Sequence, residues 1–139
     1  MEEVTDSVAP KIANIREEWH WVKPGLEEIL KHDPHVYEIP EDVYAACMHG
    51  KANLWVTDRY FVITQTFIDG TVPGFSIWYA WSKDRGAKHS LEGHPFFERM
   101  ARDMGCKVMQ TQTSKPNLVT HFLDKLGYEV KSTVLVKNL

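Results

Sequence analysis

The fold is decided by residues 95–128, which read PFFERMARDMGCKVMQTQTSKPNLVTHFLDKLGY. Apolar residues recur at helical spacing from Pro95 to Met104, and Gly105 follows them directly. This pattern predicts a helix that ends at the glycine. Residues 107–112, KVMQTQ, predict a short strand after that helix. A helix that leads directly into a strand is typical of α/β folds.

The second half of this stretch repeats the alternation of helix and strand. Ser114 is the expected N-cap of a helix over residues 116–126, and Gly127 is its expected end. Residues 128–137 predict a final strand region. Because strands separated by helices need crossover connections, we expect some parallel pairing in the sheet.

The middle of the chain changes to the composition of a sheet. Residues 52–57, 60–67 and 74–81 are rich in Val, Ile, Thr, Trp, Tyr and Phe, which favour strands. Asp58-Arg59 separates the first two segments and indicates a hairpin. The sequence therefore predicts an antiparallel meander of three strands.

The N-terminal third is predicted to be mainly helical. Residues 9–22 fit either a helical stripe or a short strand at 11–15. Pro24 is expected to open a short helix. Residues 33–40, DPHVYEIP, predict a loop, and a second helix follows from its last proline to a stop at Gly50.

Length and composition exclude several classes of protein. The chain has 139 residues, of which 43% are hydrophobic and 25% charged, and its net charge is −3. These values are those of a single globular domain and argue against a dedicated nucleic-acid binder. Residues 1–50 carry 4 Lys/Arg against 11 Asp/Glu, whereas residues 51–139 carry 12 against 8. This asymmetry fits solvated surfaces, with a partner-facing patch as the alternative.

The termini and the cysteines indicate the compartment. No apolar run has the roughly 20 residues that span a bilayer, and MEEVTDS lacks the regions of a signal peptide. Cys47 and Cys106 are expected to be buried thiols in a reducing compartment. We therefore expect a location in a host cytoplasm or a virion, without signal-peptide secretion.

The order of the elements resembles the fold of the GCN5-related N-acetyltransferases (GNAT). Residues 101–106 (ARDMGC) look like the end of the family's central helix, 122–129 (FLDKLGYE) like its leucine-glycine-aromatic segment, and 134–139 (VLVKNL) like its last strand. The resemblance implies a single GNAT-like domain with a mixed sheet, in which a meander is followed by helix, strand, helix and strand. The likeness covers residues 51–139 well and the helical part, residues 1–50, only loosely.

The resemblance implies acetyl-CoA as a possible cofactor. In the family, backbone N–H groups at the start of the central helix hold the pyrophosphate, and small residues allow the close approach. Here the matching loop has Lys83 at the Arg/Gln position and Lys88 where a small residue is usual. The cofactor-binding residues that the resemblance implies are Trp78, Tyr79, Ala80 and Trp81 for pantetheine, and Lys83, Arg85, Gly86, Ala87 and Lys88 for the phosphates.

The expected catalytic groups are largely absent from their family positions. The strand at 75–81 has no carboxylate to serve as general base, and Tyr79 is its one titratable residue. The family's thiolate-protonating tyrosine falls on Leu123, and His121 lies two residues away. Tyr79 and His121 are therefore the catalytic candidates, with packing and surface exposure, respectively, as their alternatives.

These departures lead to two functional hypotheses. The strings at residues 52–56, 78–81 and 101–106 resemble small phage-encoded GNAT-like proteins. The first hypothesis is a catalytically weak or silent protein of that group, which acts through protein interactions in the virion or during infection. The alternative is an acyl-CoA-dependent N-acetyltransferase with an atypical pyrophosphate loop.

Two further features suggest partners or ligands. Trp19 and Trp21 are either core residues or anchors of a protein interface. His32 and His35 flank a proline without a third ligand at diagnostic spacing, so no metal site is predicted.

Overall fold

The computed structural model of the chain describes residues 9–84, 93–113 and 115–139. No helix in these ranges is long and apolar enough to cross a membrane. The order of helices and strands confirms the predicted α/β class. The elements are β1 (Lys11–Ala13), α1 (Ile15–Lys31), α2 (Pro40–Met48), β2 (Asn53–Val56), β3 (Tyr60–Asp69), β4 (Val72–Ser82), α3 (His94–Asp103), β5 (Val108–Thr111) and α4 (Pro116–Lys125).

The strands form one mixed sheet in the order β1-β2-β3-β4-β5. The first four pair antiparallel, so the predicted meander of β2, β3 and β4 is confirmed. β5 pairs parallel to β4, with Gly74–Ile77 opposite Val108–Thr111. A parallel neighbour requires a crossover, and α3 lies within that connection. β5 is therefore both short and at the edge of the sheet.

α1 is a single helix of 17 residues, and the prediction that Pro24 opens a helix is wrong. The segment before it is both of the alternatives left open, since β1 is followed by the helical stripe. Apolar residues at i, i+4, i+7, i+11 and i+14 face the sheet, namely Ile15, Trp19, Val22, Leu26 and Ile29. Pro24 has no N–H to donate to the preceding turn, but this continuous stripe keeps the helix intact through tertiary packing.

Alternate residues of β3 face two separate cores. Phe61 and Ile63 belong to the core under α1 and α2. Tyr60 and Val62 belong to the core under α3, together with Phe97. Because successive side chains of a strand point to opposite faces, β3 supplies both layers. We call these two sides of the sheet the α1 face and the α3 face.

The chain after α4 differs from its prediction. Residues 128–139 form no strand, and Val130, Val134 and Leu135 are exposed. Their fit to a strand depends on a neighbouring strand and a packed face, and α4 beside them has no buried residue. Surface contacts attach this segment elsewhere, since Lys131 Nζ lies 2.6 Å from Asp69 and the Tyr37 hydroxyl donates to Asn138 at 3.3 Å.

Two smaller predictions are also affected. Cys47 and Cys106 are free thiols but only half-buried, so the expectation of full burial is wrong. Partial burial still raises the pKa of the Cys47 thiol to about 11, which keeps it protonated and unreactive at neutral pH. Ser114 lies outside the described residues, and the residue before α4 is Lys115, which caps the helix with no side-chain hydrogen bond.

Candidate functional site

The two ends of β4 have different neighbours. Gly74–Ile77, the paired end, lies between β3 and β5. Trp78–Ser82, the open end, is paired with β3 alone, because β5 stops at Thr111. The Thr111 hydroxyl donates to the Ile77 carbonyl at 3.3 Å, so the two strands are still in contact where the pairing ends. The sheet therefore opens into a cleft beside Trp78–Ser82.

A β-bulge marks the boundary between the two ends. Ile63 pairs with Tyr79 and Thr64 pairs with Ile77, which leaves Trp78 as an extra residue. This residue reverses the alternation along β4. Ile77 packs in the core under α3, whereas Tyr79 packs against the core under α1. Bulges commonly re-aim side chains beside active sites, and this one turns Tyr79 toward α1 and α2.

The main chain of the open end faces the cleft. The Lys83 N–H donates to the Arg59 carbonyl at 2.8 Å, so residue 83 bonds on the β3 side. Since N–H and C=O groups alternate along a strand, those of Ala80 and Ser82 point to the opposite edge. The Ala80 side chain is exposed. This edge can therefore form hydrogen bonds to an extended ligand, as a further strand would.

Tyr79 connects the open end to the loop between α1 and α2. Its hydroxyl donates to Glu38 Oε1. Desolvation raises the pKa of the Tyr79 phenol above its usual range, and the charges of Glu38, Asp33 and Asp42 add to this rise. The phenol therefore stays protonated, and a carboxylate lies beside it at the end of the cleft.

Glu38 is the residue that sequence reasoning missed. The strand itself carries no carboxylate, but the fold brings one from 41 residues away. The signal available was an acidic residue in a loop between helices, DPHVYEIP, which does not identify its partner.

Comparison with solved structures extends over nearly the whole chain. A structure described as a "probable acetyltransferase" is similar with a TM-score of 0.70 and 10% identity, covering 94% of this chain and 96% of that one. The ribosomal-protein-alanine N-acetyltransferase from Brucella melitensis biovar Abortus 2308 gives 0.67 and 11%, covering 94% and 99%. An aminoglycoside acetyltransferase from an uncultured soil metagenomic sample gives 0.62 and 8%, covering 94% and 93%. The chain has a GNAT-like fold.

These similarities concern the fold, since the identities are low. No family model matches the sequence, and no curated protein matches it. Because the similar structures include acetyltransferases, they support the acyltransferase alternative better than a catalytically silent protein. Phage origin and a role in a virion stay predictions from the sequence.

Within the GNAT-like fold, the indoles of the open end pack on the α1 face. Trp81 stacks on Phe61, with ring centroids 5.7 Å apart, and its Nε1 donates to Glu28 at 3.1 Å. A Cβ added to Gly25 of α1 would lie 2.8 Å from the Trp81 ring, so only glycine allows this approach. Trp78 lies beside Tyr79, with centroids 5.3 Å apart. These contacts hold the indoles on the side of the sheet opposite α3.

The predicted phosphate-binding residues are only partly described. The Lys83 ammonium lies 4.7 Å from the centre of the Trp21 ring, a cation–π contact on the α1 face. Its charge is therefore already engaged. Arg85, Gly86, Ala87 and Lys88 lie outside the described residues. Their role in binding phosphate stays a prediction.

His121, the second catalytic candidate, lies in a different cluster. Its ring contacts Phe122 edge-on, and its charge contributes to lowering the pKa of His94. His94 is buried at the start of α3, where its Nε2 lies 2.9 Å from the Tyr128 hydroxyl and its Nδ1 lies 3.7 Å from Glu98. Among the described residues, no hydrogen bond or ring contact joins His121 to Tyr79, so the structure does not bring the two candidates together.

Trp19 and Trp21 make their contacts within this chain. The Trp19 ring meets Tyr44 edge-on at 4.9 Å. Trp21 meets Phe61 at 5.5 Å, and its Nε1 donates to Glu18 at 2.6 Å. Both indoles are only partly buried. Core packing accounts for these contacts, and a protein partner at the two tryptophans stays a prediction.

A separate groove lies beyond the outer edge of β5. It has a volume of about 1100 Å³ and lies between α3, α4 and residues 127–134. Its lining is mixed, with Phe122 and Leu123 beside Glu98 and Arg102. No residue of the open end of β4 lines it. The groove is the space left where the predicted terminal strand does not pair with β5.

Proposed function

We propose that the chain is an acyl-CoA-dependent N-acyltransferase. The observation that carries this proposal is the open end of β4, where a bulge at Trp78 and the early end of β5 leave a main-chain edge unpaired. The similarity of the fold to acetyltransferases adds support. The atypical loop after Lys83 and the absence of a tyrosine at residue 123 count as departures in detail within that function.

The residues at the open end fit the pantetheine arm of acetyl-CoA. Pantetheine carries amide groups that need hydrogen-bond partners in an extended conformation. The N–H and C=O groups of Ala80 and Ser82 face the cleft and supply such partners. The small side chain of Ala80 leaves that edge accessible. Residues 83–88 are the proposed phosphate-binding segment that leads toward α3.

Glu38 and Tyr79 form the acceptor end of the proposed site. When bound, acetyl-CoA supplies an activated acyl group, whose carbon–sulfur bond breaks as the amine nitrogen bonds to the acyl carbon. One proton must then leave the amine, and one must reach the CoA thiolate. We assign the first transfer to the Glu38 carboxylate, which the protonated Tyr79 hydroxyl holds at the end of the cleft.

The surroundings of this pair favour a basic acceptor. Asp33, Glu38 and Asp42 all act on Tyr79 electrostatically. A group of carboxylates near the mouth of a cleft raises the local concentration of cations. A primary amine that arrives as an ammonium ion would be attracted and then deprotonated. His121 is given no role in this proposal.

The test is thiol release from acetyl-CoA by the purified protein with a panel of primary amines. Calorimetric titration with CoA and acetyl-CoA is run in parallel. We expect micromolar binding of both and amine-dependent release of thiol above the hydrolysis measured without amine. Absence of binding at millimolar CoA would overturn the proposal. Binding without turnover of any amine would leave a cofactor-binding protein and overturn the enzymatic part.

A further inference from the structure

One buried polar group at the open end of β4 is unsatisfied. The Ser82 Oγ is inaccessible to solvent and has no hydrogen-bond partner in the described part of the chain. A buried hydroxyl without a partner is unfavourable, and such groups in native proteins commonly await a ligand or an ordered water. Ser82 is also the last residue of β4, next to the proposed phosphate-binding segment.

The position of Ser82 gives its hydroxyl a defined direction. Ser82 pairs with Tyr60 of β3, so the two side chains lie on the same face of the sheet. Tyr60 belongs to the core under α3. The Ser82 side chain is therefore on the α3 face, opposite Trp81 and Lys83, while its main chain faces the cleft. It stands where the open edge of β4 turns toward the segment that precedes α3.

We propose that Ser82 is a cofactor-binding residue whose hydroxyl donates a hydrogen bond to acyl-CoA. This inference rests on the proposed function and names a contact within that site. The hydroxyl acts as the donor because amide carbonyls and phosphates both offer acceptor oxygens. Its place at the end of the open edge assigns the contact to the junction between the pantetheine arm and the phosphates.

The inference makes opposite predictions for folding and for binding. Ser82→Ala removes a hydroxyl that makes no hydrogen bond among the described residues, so the urea midpoint should stay unchanged or rise. The same variant should weaken acetyl-CoA binding roughly tenfold, the usual effect of one lost hydrogen bond to a ligand. A serine with only a structural role would not separate the two measurements in this way.

Ser76→Ala is the matched control. Ser76 lies in the paired end of the same strand, between β3 and β5, and is partly buried. Its replacement should leave the dissociation constant for acetyl-CoA within twofold of the wild type. Acetyl-pantetheine, which lacks the phosphates, locates the acceptor. A loss that persists with it assigns an amide oxygen, and a loss seen with acetyl-CoA alone assigns a phosphate oxygen.

The possible failures are distinguishable. If the wild type binds acetyl-CoA and Ser82→Ala binds it equally well, the inference is wrong and a water satisfies the hydroxyl. If Ser82→Ala and Ser76→Ala weaken binding equally, the effect is not specific to Ser82 and the inference is also wrong. If the wild type binds neither CoA nor acetyl-CoA, the proposed function fails, and this inference fails with it.

Discussion

The two ends of β4 have similar compositions and different fates. Phe75 in the paired end is 1% exposed and contributes to the core under α3. Ala80 in the open end is exposed, although its neighbours Tyr79 and Trp81 are aromatic. The difference arises from β5, which pairs with four residues of β4 and then stops. A strand is therefore assigned to the core or to a site by its neighbours more than by its own residues.

The largest expected effect concerns the paired end. Phe75→Ala should lower the free energy of unfolding by about 3–5 kcal/mol, because it leaves a cavity beside Phe97. Urea denaturation followed by circular dichroism measures this loss. Ile68→Ala is the control, since Ile68 is 73% exposed and its replacement should change stability by less than about 0.5 kcal/mol. A loss below about 1 kcal/mol for Phe75→Ala would contradict the view of this end as core.

The next effect concerns catalysis at the open end. Glu38→Gln should reduce amine-dependent turnover by about a hundredfold or more, because an amide cannot accept the proton. Binding of acetyl-CoA should change by less than twofold. Thiol release and calorimetry measure the two quantities separately.

Glu41→Gln is the matched control for this experiment. Glu41 lies close by in the sequence but pairs with Lys23 at 3.0 Å. Its replacement should leave turnover near that of the wild type. Full turnover by Glu38→Gln, or equal losses in both variants, would remove Glu38 from the mechanism.

A smaller effect tests the main-chain edge itself. Ala80→Pro removes the N–H that faces the cleft and no bond to β3, so the sheet should persist while acetyl-CoA binding weakens roughly tenfold. Ala80→Val enlarges the side chain and keeps the N–H, which makes it the control for steric effects. If both variants bind acetyl-CoA like the wild type, the edge does not hold the ligand.

The smallest effect lies outside the open end and depends on pH. Desolvation lowers the pKa of His94 below its usual 6.5, although Glu98 opposes this shift and His121 reinforces it. The unfolded state therefore binds a proton more readily, and stability should fall as the pH drops below about 6.5. The neutral ring faces Tyr128, whose pKa is raised to about 12, so the phenol stays protonated throughout this range.

His94→Gln should reduce this dependence. Urea midpoints measured at about pH 7.5 and about pH 5.5 should differ less in the variant than in the wild type. An equal decline in both proteins would show that other groups cause the loss of stability.

The sequence was sufficient for most elements of the fold. Helical spacing located α3 and α4, and β-branched and aromatic runs located β2, β3 and β4 within two residues of their observed ends. Two errors have the same origin, namely tertiary context. Pro24 sits inside α1 because a buried stripe outweighs its missing N–H, and residues 128–137 lack a strand because no neighbour pairs with them.

The candidate site was predictable only in part. The strand Trp78–Trp81 and the α1–α2 region could be named from the resemblance, and the structure places them together through Tyr79 and Glu38. The bulge at Trp78 could not be read from FSIWYAW, because aromatic residues occur on either phase of its alternation. The orphaned hydroxyl of Ser82 depends on burial, which a sequence does not report for serine.

The most direct test of the open end is residue-resolved amide hydrogen exchange by NMR, with and without saturating acetyl-CoA. The Ala80 and Ser82 amides face the cleft and should exchange at least tenfold more slowly when the ligand is bound. The Ile77 amide, at the paired end, should be unaffected. Unchanged exchange at Ala80 and Ser82 under saturation, or slowing confined to the groove beyond β5, would contradict the assignment of the open end of β4 as the acyl-CoA site.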